Sequence, residues 1–202
     1  MIRWIVFDVG GIVVYEAGDV IDRHIARRLG ISLSHFQRVT RPLFDRATSG
    51  EITLLDMYES VVREVGSAQD PGELLEKHLE LYREHSTRRN DGVLELIADL
   101  RKRYHVACLT NTEPEIAEIN KVGGLFDPFE RAFLSTDMRL RKPQPEIFLA
   151  VLKELACPPG ESLYIDDREV HVAGAQSVGM TARLFRDCAQ IKSELAEILG
   201  TR

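Results

Sequence analysis

Ile2-Arg3-Trp4-Ile5-Val6-Phe7-Asp8-Val9-Gly10-Gly11-Ile12-Val13-Val14 is the stretch from which the fold is read. It is short, almost continuously apolar and broken at Gly10-Gly11. A strand buried on both faces reads this way, because neither face carries a polar alternate. Asp8 falls where such a strand ends, so its carboxylate belongs at the carboxyl edge of a sheet. That edge is where open α/β folds bind ligands.

Three more polar signals follow apolar runs in order. Thr110-Asn111 follow Val106-Ala107-Cys108-Leu109, Lys142-Pro143 precede Gln144-Pro145-Glu146, and Asp166-Asp167 follow Leu163-Tyr164-Ile165. From Asp91 onward the pattern alternates. Helices are expected over Val93–Tyr104, Glu113–Asn120, Glu146–Leu155, Glu169–Val178 and Asp187–Leu199. Strands are expected over His105–Thr110, Arg131–Leu134, Leu163–Ile165 and Thr181–Leu184. Alternating strand and helix implies an α/β, doubly wound parallel sheet with right-handed crossovers and helices on both faces.

Between the first strand and this alternation the sequence changes character. Apolar residues recur at helical spacing and strand-like runs stop. A helix from Asp19 to Leu29 is closed by Gly30. Ser34-His35-Phe36-Gln37 and Thr53-Leu54-Leu55-Asp56 have capping-box form and open two more helices. Pro71-Gly72 introduce a fourth, running to about Tyr82. We therefore expect a core domain over residues 1–15 and 88–202, interrupted by a helical cap over 16–87.

Composition narrows the function. The 202 residues are 44% hydrophobic and 29% charged, ordinary for a soluble globular chain. A net charge of −6, from 26 basic and 32 acidic residues, argues against a nucleic-acid footprint. No apolar run approaches the roughly 20 residues of a membrane span, and no secretory signal pattern is expected. Cys108, Cys157 and Cys188 are odd in number and unpatterned, which fits a reducing cytoplasm.

Asp8, Thr110, Lys142 and Asp166-Asp167, in that order and each set by a predicted strand, resemble the motifs of the haloacid dehalogenase (HAD) superfamily. Within it they resemble the large group of magnesium-dependent phosphatases, many of which have a small helical cap. The Phe-Asp-x-Gly form of the first motif is similar to a subgroup of glucose-1-phosphate phosphatase-like proteins. The resemblance implies that Asp8 is the nucleophile, forming an aspartyl-phosphate. It implies that Thr110 and Asn111 bind the transferring phosphoryl through a hydroxyl and backbone N–H groups, and that Lys142 offsets the charge of nucleophile and substrate. Magnesium would be held by Asp8, the carbonyl of Gly10 and Asp166. Asp167 would lie behind them, holding water or Lys142.

Read without that likeness, Asp8 reads as a strand-end turn cap, and Thr110-Asn111 serve equally as a cap for the helix at Glu113-Pro114-Glu115. One position departs from the family pattern. Gly10 stands where most such phosphatases carry a second Asp, the acid/base, and Glu16 and His171 are the candidates to replace it; His171, one turn past Asp167, is also placed to touch the metal shell. The expected activity is hydrolysis of a small phosphorylated metabolite, with a sugar phosphate as one candidate. A metal-independent 2-haloacid dehalogenase is the alternative, although those relatives usually lack the acidic pair. A non-catalytic binding protein of the same fold is the third reading.

Overall fold

The computed structural model describes residues 1–15, 18–86 and 88–200. Glu16 and the ends of the expected cap, positions 16 and 87, lie outside them. Five strands form one parallel sheet: β1 (Trp4–Phe7), β2 (His105–Thr110), β3 (Arg131–Leu134), β4 (Ser162–Asp166) and β5 (Thr181–Leu184). Their order is β3-β2-β1-β4-β5, so the chain winds outward from β1 in one direction and then returns to its other side. The register sets Phe7 beside Cys108 and Ile165, which brings the ends of β1, β2 and β4 level.

The unbroken apolar run at β1 follows from this central place. Ile5 and Phe7 face one cluster, with Val93 and Ile97 of α5 (Asp91–Leu100) and Ile191 of α10 (Cys188–Leu199). Val6 faces the opposite cluster, with Ile147 and Phe148 of α8 (Pro145–Glu154) and Ala175 of α9 (Glu169–Ser177). All three β1 side chains are fully buried, each contributing about 1.5–3 kcal/mol of apolar burial.

Between β1 and α5 lie four helices: α1 (Gly18–Leu29), α2 (Leu33–Thr48), α3 (Leu54–Val65) and α4 (Pro71–His85). They bury a separate cluster that includes Ile25, Phe36, Met57, Tyr58 and Leu74. It extends onto Ile116 of α6 (Pro114–Val122). The Thr53 capping box is complete: Thr53 accepts from the Asp56 N–H, and Asp56 accepts from the Thr53 N–H. The box expected at Ser34 is a correction. The cap is Ser32, whose extended backbone lets its hydroxyl accept from the His35 N–H, and Ser34 bonds the Ser32 hydroxyl instead.

The helix expected over Val93–Tyr104 begins at Asp91 and ends at Leu100. A tight turn closes it, with the Tyr104 N–H on the Leu100 carbonyl. A short helix, α7 (Ser135–Met138), was not expected, being one turn long with no apolar period to mark it. The connections to the inserted helices run side by side. The Tyr15 N–H donates to the Arg88 carbonyl at 3.0 Å, and the Asn90 N–H to the Val13 carbonyl at 2.8 Å. Among the described residues no helix is long and apolar enough to cross a membrane.

Candidate active site

The sheet topology makes this site. The Asp8 N–H donates to the Ile165 carbonyl at 2.8 Å, which fixes the residue after β1 against the end of β4. Asp166 is the last residue of β4. Thr110 is the last of β2. The expected polar residues therefore meet at one edge, where the winding reverses around β1.

At the centre is Lys142, 1% exposed despite its charge. Its Nζ donates to Asp8 Oδ1 at 2.7 Å and to Asp166 Oδ2 at 2.9 Å, and it lies over the Tyr164 ring. Its position is fixed from two sides. The Asn111 amide grips the Lys142 backbone, donating to its carbonyl at 3.0 Å and accepting from its N–H at 2.9 Å. Behind it, Gly174 of α9 lets the loop close in, since a Cβ there would meet the Pro143 carbonyl oxygen at 2.6 Å.

Asp8 is nearly buried, and its Oδ1 also accepts from the Val9 N–H at 2.7 Å. Burial pushes its pKa up to about 8, opposed by the charge and hydrogen bond of Lys142. Asp166 is fully buried, and burial alone would also raise it. It accepts from Lys142, from the Tyr164 hydroxyl, from the Arg168 N–H at 2.9 Å, and faces His171 Nδ1 at 3.1 Å from both oxygens. Its hydrogen bond with His171, the Lys142 charge and the Tyr164 hydroxyl together hold it well below the usual carboxylate range. Ligand atoms of Asp8, Asp166 and His171 lie within 4.8 Å of one another, a grouping suited to a cation.

Asp167 lies against the turn after β1. Gly11 has φ +71°, and a Cβ there would come 2.2 Å from Asp167 Oδ2, so this close approach requires glycine. Asp8, Gly10, Thr110, Asn111, Lys142 and Asp167 all line one open cleft of about 800 Å³. A smaller cavity of about 250 Å³ adjoins it, sharing Gly10, Thr110 and Asn111. Asp22 of α1 and Phe44 of α2 line both spaces.

Asp8, Gly10, Thr110, Asn111, Lys142, Asp166 and Asp167 are thus at one edge, while Glu16 lies outside the described residues. Three features were missed. Tyr164 was readable, since strand residues two apart share a face and Tyr164 must point with Asp166. The grip of Asn111 on Lys142, 31 positions away, had no sequence signal. The sequence places His171 near the metal shell or as a stand-in acid/base, without naming Asp166 as its partner. Its contact with Asp166 depends on how α9 leaves the sheet.

The profile of the haloacid dehalogenase-like hydrolases matches residues 2–179. A D-ribitol-5-phosphate phosphatase of Bacteroides thetaiotaomicron is 28% identical over 215 aligned positions, covering all of both chains. A HAD-like hydrolase structure from Porphyromonas gingivalis superposes with a TM-score of 0.79 at 22% identity, covering all of both chains. A HAD enzyme from Bacteroides thetaiotaomicron, solved with magnesium and inorganic phosphate, superposes at 0.74 and 22% identity. That match covers 92% of this chain and 95% of the other.

Proposed function

From the premise that the chain belongs to the haloacid dehalogenase-like hydrolases, we propose that it is a magnesium-dependent phosphatase of a small phosphorylated metabolite, acting through an aspartyl-phosphate on Asp8. The observation that carries the reading is Lys142 Nζ, buried and shared between Asp8 and Asp166 at the sheet edge. Burial pushes the Asp8 carboxyl toward its neutral form, and a cation there would restore its charge. Hard oxygen donors suit magnesium, so the residues fit the cation. Asp8, the Gly10 carbonyl and Asp166 would hold it, and bound there it would neutralise charge on the phosphoryl oxygens.

The rest is done by the chain. Asp8 attacks phosphorus, forming a carboxyl–phosphate bond as the ester P–O bond breaks. Oδ1 is held by Lys142 and Val9, so the carboxylate is oriented before substrate arrives. Lys142 offsets repulsion between two anions. Thr110 and the backbone N–H groups beside Asn111 receive the equatorial oxygens. Water then cleaves the acyl-phosphate and regenerates Asp8. Asn111 acts twice, since its side chain also fixes Lys142.

Residues 16–87 serve as a cap that selects substrate, with Asp22 and Phe44 facing the space beside the phosphoryl site. The full-length likeness to a ribitol phosphate phosphatase supports a polyol or sugar phosphate as the ester. The unpatterned free cysteines support a cytoplasmic setting.

The test is a panel of phosphate esters and 2-haloacids assayed with magnesium and with excess chelator. Ester hydrolysis that stops in chelator is the expected result. Undiminished turnover in chelator would overturn the metal assignment, and halide release without metal would install the dehalogenase instead.

A further inference from the structure

Asp166 carries four partners: Lys142 Nζ, the Tyr164 hydroxyl, the Arg168 N–H and the His171 imidazole. A carboxylate offers about four lone-pair sites, so this one is full. A cation that binds Asp166 must take one of those sites, and one partner must change its role. An ammonium and a backbone N–H can only donate. A phenol is a weak ligand while it keeps its proton. The imidazole is different: its Nδ1 faces Asp166, and with the proton on Nε2 that nitrogen offers a lone pair to a cation held there.

Its geometry suits that role. His171 sits on the first turn of α9, is 3% exposed and lines the same cleft as Asp8 and Gly10. Its Nδ1 lies 3.1 Å from both Asp166 oxygens. Neighbouring ligands of a six-coordinate ion with bonds of about 2.1 Å stand roughly 3 Å apart. The separation already present therefore matches an adjacent ligand pair, with Asp8 supplying the third atom of the group.

We propose that His171 is a nitrogen ligand of the divalent cation at this site, and that it biases the site toward manganese and cobalt over magnesium. The proposal rests on the metal-dependent reading above and deepens it. Carboxylate and carbonyl oxygens alone favour hard ions. An imidazole among them strengthens binding along the first-row series, while magnesium gains little from nitrogen. The chain accordingly works with magnesium and binds the softer ions more tightly than an all-oxygen site would.

The experiment loads the whole protein with manganese and records pulsed EPR with and without ¹⁵N-histidine labelling. Calorimetric titrations of manganese and magnesium are run on wild type and on His171→Asn. Directly coupled histidine nitrogen is expected in wild type and not in the variant. The ratio of manganese to magnesium affinity should fall by about ten-fold in the variant. Manganese bound without a coupled nitrogen would overturn the proposal and leave the phosphatase reading standing. Coupled nitrogen in a protein that hydrolyses no phosphate ester would uphold the ligand and overturn the activity. A wild type that binds no divalent cation would overturn both. The labelled wild-type spectrum decides the ligand even where the variant folds poorly.

Discussion

Tyr58 and His78 meet inside the inserted helices; Tyr164 and His171 meet at the sheet edge through a shared aspartate. In the first pair the Tyr58 hydroxyl and His78 Nδ1 are 2.7 Å apart. Burial alone pushes the His78 pKa down to about 4, so the imidazole stays neutral. In the second, Asp166 brings a charge into the same kind of burial, and Lys142 and Asp8 follow. Burial lowers the His171 pKa too, but its hydrogen bond to Asp166 works the other way. The first arrangement is what packing needs: two neutral groups that satisfy each other. The second takes an ammonium and two carboxyl groups out of water, at several kcal/mol for each one that stays ionised. Charge gathered in a cleft at that cost marks a site built for chemistry.

The contrast breaks most sharply at Asp8. Asp8→Asn keeps the shape and removes the proposed nucleophile, and turnover should fall by about 10⁴-fold or more with the fold intact. Steady-state rates with a circular dichroism check decide it. Near-normal turnover would make the edge cluster as purely structural as Tyr58–His78.

Next in size is Lys142→Met. It strips the shared cation from two buried carboxylates and should cost about 3–5 kcal/mol in urea unfolding with chelator present. A loss under 1 kcal/mol would mean that the carboxylates do not depend on the lysine.

The cap pair gives a pH signature of known sign. His78 titrates at about 4 when folded, against its ordinary value of 6.5. Between these values the unfolded chain binds the extra proton. Its contribution is therefore complete above pH 6.5 and is lost as pH falls toward 4, by up to about 3 kcal/mol. Unfolding of wild type and His78→Gln across that window measures it. Identical slopes would show that His78 is not held neutral.

The smallest effect is expected from Tyr58→Phe, which leaves His78 Nδ1 without its hydroxyl. Stability should drop by about 1–2 kcal/mol, with kcat on a good ester unchanged. A fall in kcat as large as that of Asp8→Asn would erase the distinction between the regions.

How far these regions could be read in advance follows from the kind of contact each uses. The three central strands were legible because burial on both faces writes itself as continuous apolar runs, as at Ile5-Val6-Phe7 and Val106-Ala107-Cys108-Leu109, and the edge strands β3 and β5, only partly buried, were legible from the strand–helix alternation. Asp8, Thr110 and Asp166 were legible because each closes such a run. Lys142 was legible only in company, since a lysine before a proline has no period. The clasp between Asn111 and Lys142 was not legible, because it depends on how two loops meet in space. Nor was the Tyr58–His78 pair, whose positions fit an ordinary apolar stripe on α3 and α4. The shift from Ser34 to Ser32 was a choice between hydroxyls two apart, decided by backbone angles.

The strand-like pairing of residues 13–15 with 88–90 has a consequence for how such a molecule changes over generations. The sheet and its helices are closed by two hydrogen bonds between neighbouring segments, and the stretch between them adds only a slowly growing loop-closure cost. Insertions that enter and leave at one spot are tolerated for this reason. On the proposed function, the chemistry would stay fixed to the strand ends while the stretch between is free to be lengthened, shortened or exchanged. New substrates would then be reached by redrafting one contiguous passage of the gene, with the strand-end edge left as written.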